Sequence, residues 1–517
     1  MTYTLFYGGD PIVKEKTYLY AVIILTIASF AYWSAFAFNA YNTFHESSDL
    51  AAFAQSFYYD VNYPNISHGF QYAVFGNHIA PDQMLLLPFF YLFQSPMTLL
   101  IAQAFTLSMT GFVIFYVSKK LTRDQSKSFI LFIAYMINPA VDGIRIFDYH
   151  AEASIIVFFV LTFYFYMKMD KKLLFLSLLL LLGTMDVAPI LAIFLAVGLL
   201  VYEVAYNDDK ILRKRRLNAL LGMLVASFAV LLLYHIMAQD LLHGYQTGAY
   251  AGLPPFLKVL PINEDQIAHL FSPVASSVPL PGGYAAFTIF FVLFGFGMFV
   301  FFAPEITLIM ALPWLAGAFY LKNYSFLFPW YQYAGLVIGA TVVGSILGML
   351  LMKEKTGMLG SFLSKLEKRD YKASLERFNA KYTITIFLAI IFATPILIVN
   401  ANVNNLQQDF FFSISTQQQA YYSQLYSMIA LVPSNAPLMT QFFIIPRVVD
   451  RQYVSSEVNY GYFTPEYILL DFNRNISLNV NDDPLSIYNN TGASLLLNQS
   501  TYLIYAQNGT AKLYKKA

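Results

Sequence analysis

Long apolar segments alternate with short polar ones along most of the chain. Apolar runs of bilayer-spanning length lie at about 18–39, 97–118, 153–168, 187–203, 217–238, 284–303, 305–321, 331–352 and 382–400, with shorter runs at 128–141 and 173–183. A straight helix needs about 20 apolar residues to cross the hydrocarbon core. The two short runs therefore predict tilted or partly embedded spans, or half-helices lining a cavity. If both cross, the pattern predicts an all-α polytopic membrane bundle of about eleven transmembrane helices.

The first apolar run, Tyr18 to Ala40, is long enough to span a bilayer and lacks the small-residue cleavage pattern of a secretory signal. We therefore expect a retained first helix.

Lysine and arginine lie on one side of this predicted bundle. The segments 119–127, 168–172, 203–218 and 353–381 carry 4, 3, 5 and 8 basic residues, and with Lys14 and Lys16 they hold 22 of the 31 basic residues. Because basic residues concentrate in cytoplasmic loops, the N-terminus is predicted to be cytoplasmic. An odd number of helices then places the C-terminus outside an integral plasma-membrane protein. The loop 353–381 predicts a basic cytoplasmic helix on anionic lipid.

The composition changes after Asn400. Residues 1–400 are predicted to form the transmembrane domain, with a first exterior loop at 40–96, and residues 401–517 a small exterior domain. The alternating runs Tyr467–Phe472 and Ser494–Tyr505, with the turn signal Asn508-Gly509, predict an α/β or mostly β fold there. N-x-[ST] triplets fall on the predicted outer side, beginning at Asn65, Asn323, Asn475, Asn489, Asn498 and Asn508.

Composition agrees with a lipid-solvated chain and excludes several kinds of chemistry. Hydrophobic residues make up 58% of the 517 positions and charged residues only 12%, too little charge for the surface of a water-soluble domain of this size. The net charge of +1, without a phosphate-cradling or zinc-finger motif, indicates no nucleic-acid partner. The absence of cysteine excludes disulfides, thiolate catalysis and Cys-ligated metals.

The predicted exterior loops are poor in basic residues and hold acids and histidines that could form a site. The first loop contains His45, Glu46, Asp49, Asp60, His68, His78 and Asp82, the third helix ends in Arg145, Asp148, His150 and Glu152, and the fifth and sixth helices meet at Asp186. An unpaired carboxylate at the membrane surface, as predicted for Asp186, is costly. Three hairpin ends thus direct polar groups to one face of the bundle.

Each candidate residue also has a purely structural explanation. Asp49 precedes the apolar-patterned segment Leu50–Tyr59 and could be a helix N-cap. The dipole at a helix start favours acids such as Asp148 and Glu152, and His78 and His150 could be ordinary interfacial histidines. The segment Leu50–Tyr59 could lie along the membrane plane, and Tyr331, Gln332 and Tyr333 could belong to an interfacial aromatic belt.

Several segments resemble one family of predicted membrane proteins, called domain of unknown function 2079. They are DLAAFAQSFYY (49–59), GNHIAPDQMLLLPFFYLFQSPMTLLIAQA (76–104), FDYHAEA (147–153), NYSFLFPWYQYAGLVI (323–338) and VPSNAPLMTQFFIIPRVVDRQY (432–453). The family is similar to the GT-C glycosyltransferases, which use polyprenyl-phosphate-linked sugars. The resemblance spans nearly the whole chain. It implies a GT-C-like membrane bundle.

The resemblance further implies a catalytic base in the first exterior loop, where Asp49 is the matching position. His78, Asp148, His150, Glu152 and Asp186 would support it. The departing phosphate would need positive charge, and the basic exterior-loop residues are Arg145, Lys258 and Lys322, with Tyr331 and Gln332 as further candidates for substrate binding. Where the family has Lys-Glu-Asp at the fifth–sixth hairpin, this chain has Thr184-Met185-Asp186, which removes one basic and one acidic group.

A divalent cation is an alternative source of positive charge. Mn²⁺ or Mg²⁺ would suit a site made from Asp49, His78, Asp148, His150 and Glu152, because hard carboxylates and imidazole bind such ions. Expected partners are membrane lipid, a polyprenyl-phosphate-linked sugar and a glycan or protein acceptor. A transporter or lipid flippase, or a non-catalytic scaffold with an exterior binding domain, remains an alternative function.

Overall fold

A computed structural model describes residues 11–46, 48–63, 79–241, 292, 296, 299–320, 324–327, 332–354, 415–456, 463–472, 496–497 and 501–517. The chain forms two compact units. Unit 1 comprises residues 1–31, 105–146 and 151–394, and unit 2 comprises residues 32–104, 147–150 and 395–517.

The described residues are mostly helical. The helices are α1 (Pro11–Asn42), α2 (Ser48–Asn62), α3 (Leu87–Leu92), α4 (Pro96–Thr122), α5 (Gln125–Met136), α6 (Pro139–Ile146), α7 (Glu152–Lys168), α8 (Lys171–Gly183), α9 (Ala188–Tyr206), α10 (Lys210–Leu241), α11 (Pro304–Leu315), α12 (Gly335–Glu354) and α13 (Thr416–Ala430). Short 3₁₀ turns lie at Pro81–Leu86, Phe299–Phe302, Tyr324–Leu327, Gln332–Ala334 and Ile445–Arg447, and a π-helical turn at Ala316–Tyr320 extends α11.

Five helices among the described residues are long and apolar enough to cross a membrane: Lys16–Asn42, Pro96–Thr122, Ala188–Tyr206, Lys210–Ile236 and Gln332–Met352. They confirm five of the predicted spanning runs as helices of membrane-spanning length. The run at 128–141 becomes the pair α5 and α6, bent by 43°, which makes a sixth span if the pair crosses together. Pro139 opens α6 after this break, as expected of a residue that cannot donate to the preceding turn.

The full count of eleven helices is not confirmed and stays a prediction. The runs at 153–168 and 173–183 form α7 and α8, of 17 and 13 residues, and the run at 305–321 forms α11 with its π-helical extension. Most of the run at 284–303 and all of the run at 382–400 lie outside the described residues. So does the basic loop beyond Glu354.

The core of unit 1 depends on close helix approach through glycine. A Cβ atom on Gly348 of α12 would lie 1.9 Å from the backbone oxygen of Phe299, and one on Gly344 would lie 1.9 Å from Oγ1 of Thr307. Small residues allow backbones in a bilayer to approach closely enough for van der Waals packing to hold helices together. Buried aromatic and aliphatic side chains of α7, α9, α11 and α12 fill the rest of this core.

Unit 2 contains a five-stranded sheet with α2 and α13 in the same hydrophobic core. The strands β1 (Leu438–Thr440), β2 (Val454–Ser456), β3 (Tyr467–Asp471), β4 (Tyr502–Asn508) and β5 (Ala511–Lys516) lie in the order β2-β1-β3-β5-β4. The β1 strand is parallel to β2 and β3, and β5 is antiparallel to β3 and β4. The predicted small C-terminal sheet is therefore present.

Two local predictions for this sheet are confirmed. The run predicted at Tyr467–Phe472 forms β3. The Asn508-Gly509 turn signal lies in the β4–β5 connection, where Gly509 has a φ of 58° that glycine adopts without steric cost. The run predicted at Ser494–Tyr505 becomes strand from Tyr502 onward.

The helix α2 does not present its apolar face to a membrane surface. Leu50, Phe53 and Phe57 are buried in the core of unit 2, together with residues of α13 and the sheet. The suggestion that Leu50–Tyr59 lies along the membrane plane stays a prediction, but burial of its apolar face means that this face would not contact lipid. The helix is amphipathic because it packs on protein.

Candidate functional site

Asp49 lies in the first turn of α2 and remains accessible. The helix starts at Ser48, and the side chain of Asp49 is 39% exposed, whereas the following residues Leu50 and Ala51 are fully buried. A carboxylate in the first turn is favoured by the helix dipole, which also favours its ionised form. The sequence therefore places an anionic, solvent-accessible group at the end of a buried helix.

The segment Phe147–His150 is held in place by Gln103 of α4. Oε1 of Gln103 accepts a hydrogen bond from the His150 backbone N–H at 2.7 Å. Its Nε2 donates to the carbonyl oxygens of Asp148, at 3.1 Å, and Phe147, at 3.3 Å. One buried amide thus satisfies three backbone groups of an irregular segment, which would otherwise be costly to bury.

The imidazole of His150 lies between two carboxylates. Its Nε2 is 3.1 Å from Oδ2 of Asp49. Its Nδ1 donates to the backbone oxygen of Asp148 at 3.2 Å and also lies 3.2 Å from Oδ1 of the same residue. The side chains of His150 and Asp148 are only 6% and 1% exposed. Both ring nitrogens therefore face acceptors inside the protein, with Asp49 as the accessible member of the group. We call Asp49, Asp148 and His150 the acid–histidine cluster.

Asp148 also caps the helix that carries Asp49. Its Oδ2 accepts a hydrogen bond from the backbone N–H of Leu50 at 2.9 Å. The free N–H groups at a helix start stabilise such a carboxylate. Since one carboxylate contacts both α2 and His150, Asp148 fixes the position of Asp49 relative to the imidazole ring. At the Leu50 N–H, the capping acceptor is therefore the carboxylate of Asp148, whereas the sequence suggested Asp49 as the helix cap.

The residues of the cluster are of the types that bind a divalent cation. Each of its three residues offers one ligand atom, and these atoms lie within 4.8 Å of one another. The 3.1 Å between Asp49 and Nε2 of His150 is close to the roughly 3 Å that separates adjacent ligands at bond lengths of about 2.1 Å. If an ion lay between Asp49 and Nε2 of His150, these two residues would be its ligands, and Nδ1 would donate to the backbone oxygen of Asp148, as the second ring nitrogen of metal-bound histidines commonly does.

A buried ion pair lies in the same unit. Glu46 Oε2 accepts from Nη2 of Arg447 at 2.6 Å, and the guanidinium lies 4.4 Å from the ring centroids of both Tyr41 and Phe44. Burial raises the pKa of Glu46 to about 7, although Arg447 lowers it, and the negative charge of Asp148 adds to the rise. Glu46 is thus electrostatically linked to the acid–histidine cluster.

The other predicted site residues that are described lie in unit 1. Arg145 is buried and its Nη1 pairs with Oδ1 of Asp142 at 2.9 Å, so its charge is balanced within α6. Glu152, at the start of α7, is buried against Gly335. A Cβ atom added to Gly335 would lie 2.9 Å from the Cβ atom of Glu152. Gln332 is buried in the 3₁₀ turn just before Gly335, and Asp186 is half-buried in the turn between α8 and α9.

Four predicted residues, His78, Lys258, Lys322 and Tyr331, lie outside the described residues. The structure thus brings together Asp49, Asp148 and His150 from the predicted set. It assigns Arg145, Glu152, Gln332 and Asp186 to the other compact unit.

Sequence reasoning missed three residues that shape these sites. Asp142 could have been found, since an acid three positions before Arg145 on a helix is a regular ion-pair spacing. Gln103 and Arg447 had no comparable signal. Arg447 is 401 positions from Glu46, and a glutamine within an apolar helix does not reveal which loop it holds.

Comparison with known proteins identifies a family. The family described as "Predicted membrane protein (DUF2079)" matches residues 40–509. No curated protein sequence matches the chain significantly.

Among solved structures, the chain is similar to ArnT from Cupriavidus metallidurans. The form bound to undecaprenyl phosphate has 10% sequence identity and a TM-score of 0.47, and the apo form has 11% and 0.44. Each likeness covers 95% of this chain and 97% of the other.

Proposed function

This chain belongs to the DUF2079 family of predicted membrane proteins, and on that premise we propose that it is a GT-C-like glycosyltransferase. It would transfer a sugar from a polyprenyl-phosphate donor to a glycan or protein acceptor at the exterior face of the plasma membrane. The family's resemblance to GT-C enzymes suggests the donor class. The site geometry supports the chemistry.

One observation carries the proposal: Asp49 is an accessible carboxylate held by a buried histidine, whose other ring nitrogen donates to the backbone oxygen of Asp148 and lies 3.2 Å from the buried carboxylate of that residue. A reactive group whose partner is oriented by a third group is the usual arrangement of acid–base and nucleophilic sites. A purely structural aspartate at a helix start needs no such chain behind it, because water and the helix dipole suffice.

In the proposed reaction, Asp49 removes the proton of the acceptor hydroxyl while the oxygen of that hydroxyl attacks the anomeric carbon of the donor sugar. The new carbon–oxygen bond forms as the bond between that carbon and the phosphate oxygen breaks, and polyprenyl phosphate leaves with the electron pair. His150 then serves as a positioning residue that fixes the Asp49 carboxylate, and Asp148 fixes the imidazole.

The departing phosphate requires positive charge or hydrogen-bond donors. Arg145 is less suited to this role than its position in the sequence suggests, because Asp142 already balances its charge. A Mn²⁺ or Mg²⁺ ion held by Asp49 and His150 would supply Lewis acidity at that point. Imidazole favours Mn²⁺ of the two. Lys258 and Lys322 remain candidates for the phosphate.

The experiment uses purified full-length protein in nanodiscs and a panel of polyprenyl-phosphate-linked hexoses and pentoses labelled in the sugar. Transfer is measured as movement of label from the lipid phase to added cell-envelope acceptors. Asp49→Asn should lower the rate at least about 100-fold, because it removes the general base. Asp60→Asn, on the same helix, is the matched control and should keep wild-type activity.

Two outcomes would count against the proposal. If the wild-type protein transfers sugar from no donor in the panel, a scaffold or transporter is favoured. If Asp49→Asn remains as active as the wild type, Asp49 is not the base.

A further inference from the structure

An apolar groove lies in unit 1, formed by α4, α7 and the start of α8. Its volume is about 490 Å³, and its apolar walls are lined by Phe112, Val113, Tyr116, Leu161, Tyr164 and Phe165. The helix α4 is a candidate membrane span. An apolar groove on a helix that spans a bilayer can take up an acyl chain.

One end of the groove carries positive charge. Lys168 lines it, and its Nζ lies 5.9 Å from the ring centroid of Tyr164. Nζ of Lys120 lies 5.5 Å from the ring centroid of Tyr116, and the two tyrosine rings meet edge to face with centroids 6.1 Å apart. Lys168 thus lies in the lining of the groove, and Lys120 lies against the ring of a lining residue, Tyr116.

Both lysines lie at helix C-terminal ends. Lys120 is in the last turn of α4 and Lys168 is the last residue of α7, where the helix dipole favours cations. The one carboxylate that lines the groove, Asp170, accepts from the Leu173 backbone N–H at 3.1 Å as the N-cap of α8. The helix start thus compensates that negative charge, and the rim stays attractive to anions.

We infer that this groove binds one anionic phospholipid, with an acyl chain along the aromatic wall and its phosphate at Lys168, while Lys120 lies beside the neighbouring ring of Tyr116. Charge complementarity selects this occupant. A neutral lipid would fit the apolar wall but would gain little from two ammonium groups, which attract anionic head groups at a membrane surface. The site is separate from the acid–histidine cluster, which belongs to unit 2.

Native mass spectrometry of the detergent-purified full chain tests this inference, with dioleoyl phosphatidylglycerol and dioleoyl phosphatidylcholine as probes. The wild type should retain phosphatidylglycerol preferentially. Each basic residue near a lipid phosphate contributes about fivefold in affinity, so the Lys120→Gln/Lys168→Gln variant should bind phosphatidylglycerol about 25-fold more weakly. Lys214→Gln is the matched control, because Lys214 is an exposed lysine of α10 that does not line the groove, and it should bind like the wild type.

A second variant tests the groove itself. Leu161→Trp adds bulk to the apolar wall and should weaken binding of both lipids without changing the preference. Size-exclusion chromatography checks that the variants are folded.

Three results would overturn the inference: equal binding of both lipids by the wild type, unchanged binding by the double lysine variant, or a disulfide dimer formed in membranes by Tyr116→Cys. The last would show that a second copy covers the groove.

Discussion

The Nε2 nitrogen of His150 lies 3.1 Å from Oδ2 of Asp49, although the two residues are 101 positions apart in the chain. The contact joins the start of α2 to the segment that follows α6. It turns an exposed helix-start aspartate into one end of a chain of three titratable groups.

Asp148 is expected to combine structural support with positioning. Asp148→Ala removes the acceptor of the Leu50 N–H and should lower the free energy of unfolding by about 1 kcal/mol, the usual cost of losing a helix cap. Asp148→Asn keeps an acceptor for that N–H but removes the negative charge facing Nδ1 of His150. It should therefore recover most of the stability and little of the transfer activity.

Thermal unfolding in detergent, read beside the transfer assay, separates the two roles of Asp148. Asp49→Ala is the control for stability, since its exposed side chain should cost less to remove. Parallel recovery of stability and activity in Asp148→Asn would contradict the positioning role.

Glu46 should make stability depend on pH. Its pKa is raised from 4.5 to about 7 by burial, so between these values the folded protein holds a proton that the unfolded chain has lost. Stability therefore falls as the pH rises through this window and levels off above it. Glu46→Gln cannot titrate and should show a flatter profile from pH 5 to pH 8.

The comparison of unfolding temperatures of wild type and Glu46→Gln across this pH range isolates the contribution of Glu46 from those of other groups. The positions that face it are Arg447, which pairs with it, and Asp148, whose charge opposes its ionisation. Identical slopes for the two proteins would show that Glu46 does not titrate there.

Glycine at position 348 should be required for packing in unit 1. Gly348→Ala places a Cβ 1.9 Å from the Phe299 backbone oxygen, so the backbone must shift, at a cost of about 1–3 kcal/mol. Gly222→Ala, in α10, meets nothing within 4 Å and should be neutral or stabilising by up to about 1 kcal/mol, because alanine favours helix. Unfolding temperature and folded yield of the two variants measure the difference. Equal effects would indicate that α12 can move away from the Phe299 turn.

The predicted orientation in the membrane can be tested by cysteine labelling. Because the chain has no cysteine of its own, every labelled site is an introduced one. Single cysteines at exposed positions Ser126, between α4 and the body of α5, and Thr501, before β4, should react with a membrane-impermeant maleimide from opposite sides of intact cells. Thr501→Cys is expected to label in intact cells and Ser126→Cys only after permeabilisation. Labelling of both from the same side would contradict the exterior location of the sheet.

The amino-acid sequence by itself determined the class of protein and much of its local structure. Apolar runs of sufficient length predict helices wherever they occur, because the hydrophobic requirement of a bilayer is local in sequence. The strand at Tyr467–Asp471 and the Asn508-Gly509 turn were likewise predictable from alternation and from the backbone freedom of glycine. Family resemblance added Asp49 as the expected catalytic base.

Only the tertiary structure decided which polar groups meet. The pairs Asp49–His150, Leu50–Asp148 and Glu46–Arg447 are separated by 101, 98 and 401 positions, and no periodic pattern specifies such pairings. These pairings depend on how the helices and the sheet of unit 2 pack into one core. The order of apolar residues along the chain limits the possible packings but does not select one of them. For the same reason Arg145, beside His150 in sequence, is committed to Asp142 within its own helix, while Gln103, in an apolar span, holds the segment that carries His150.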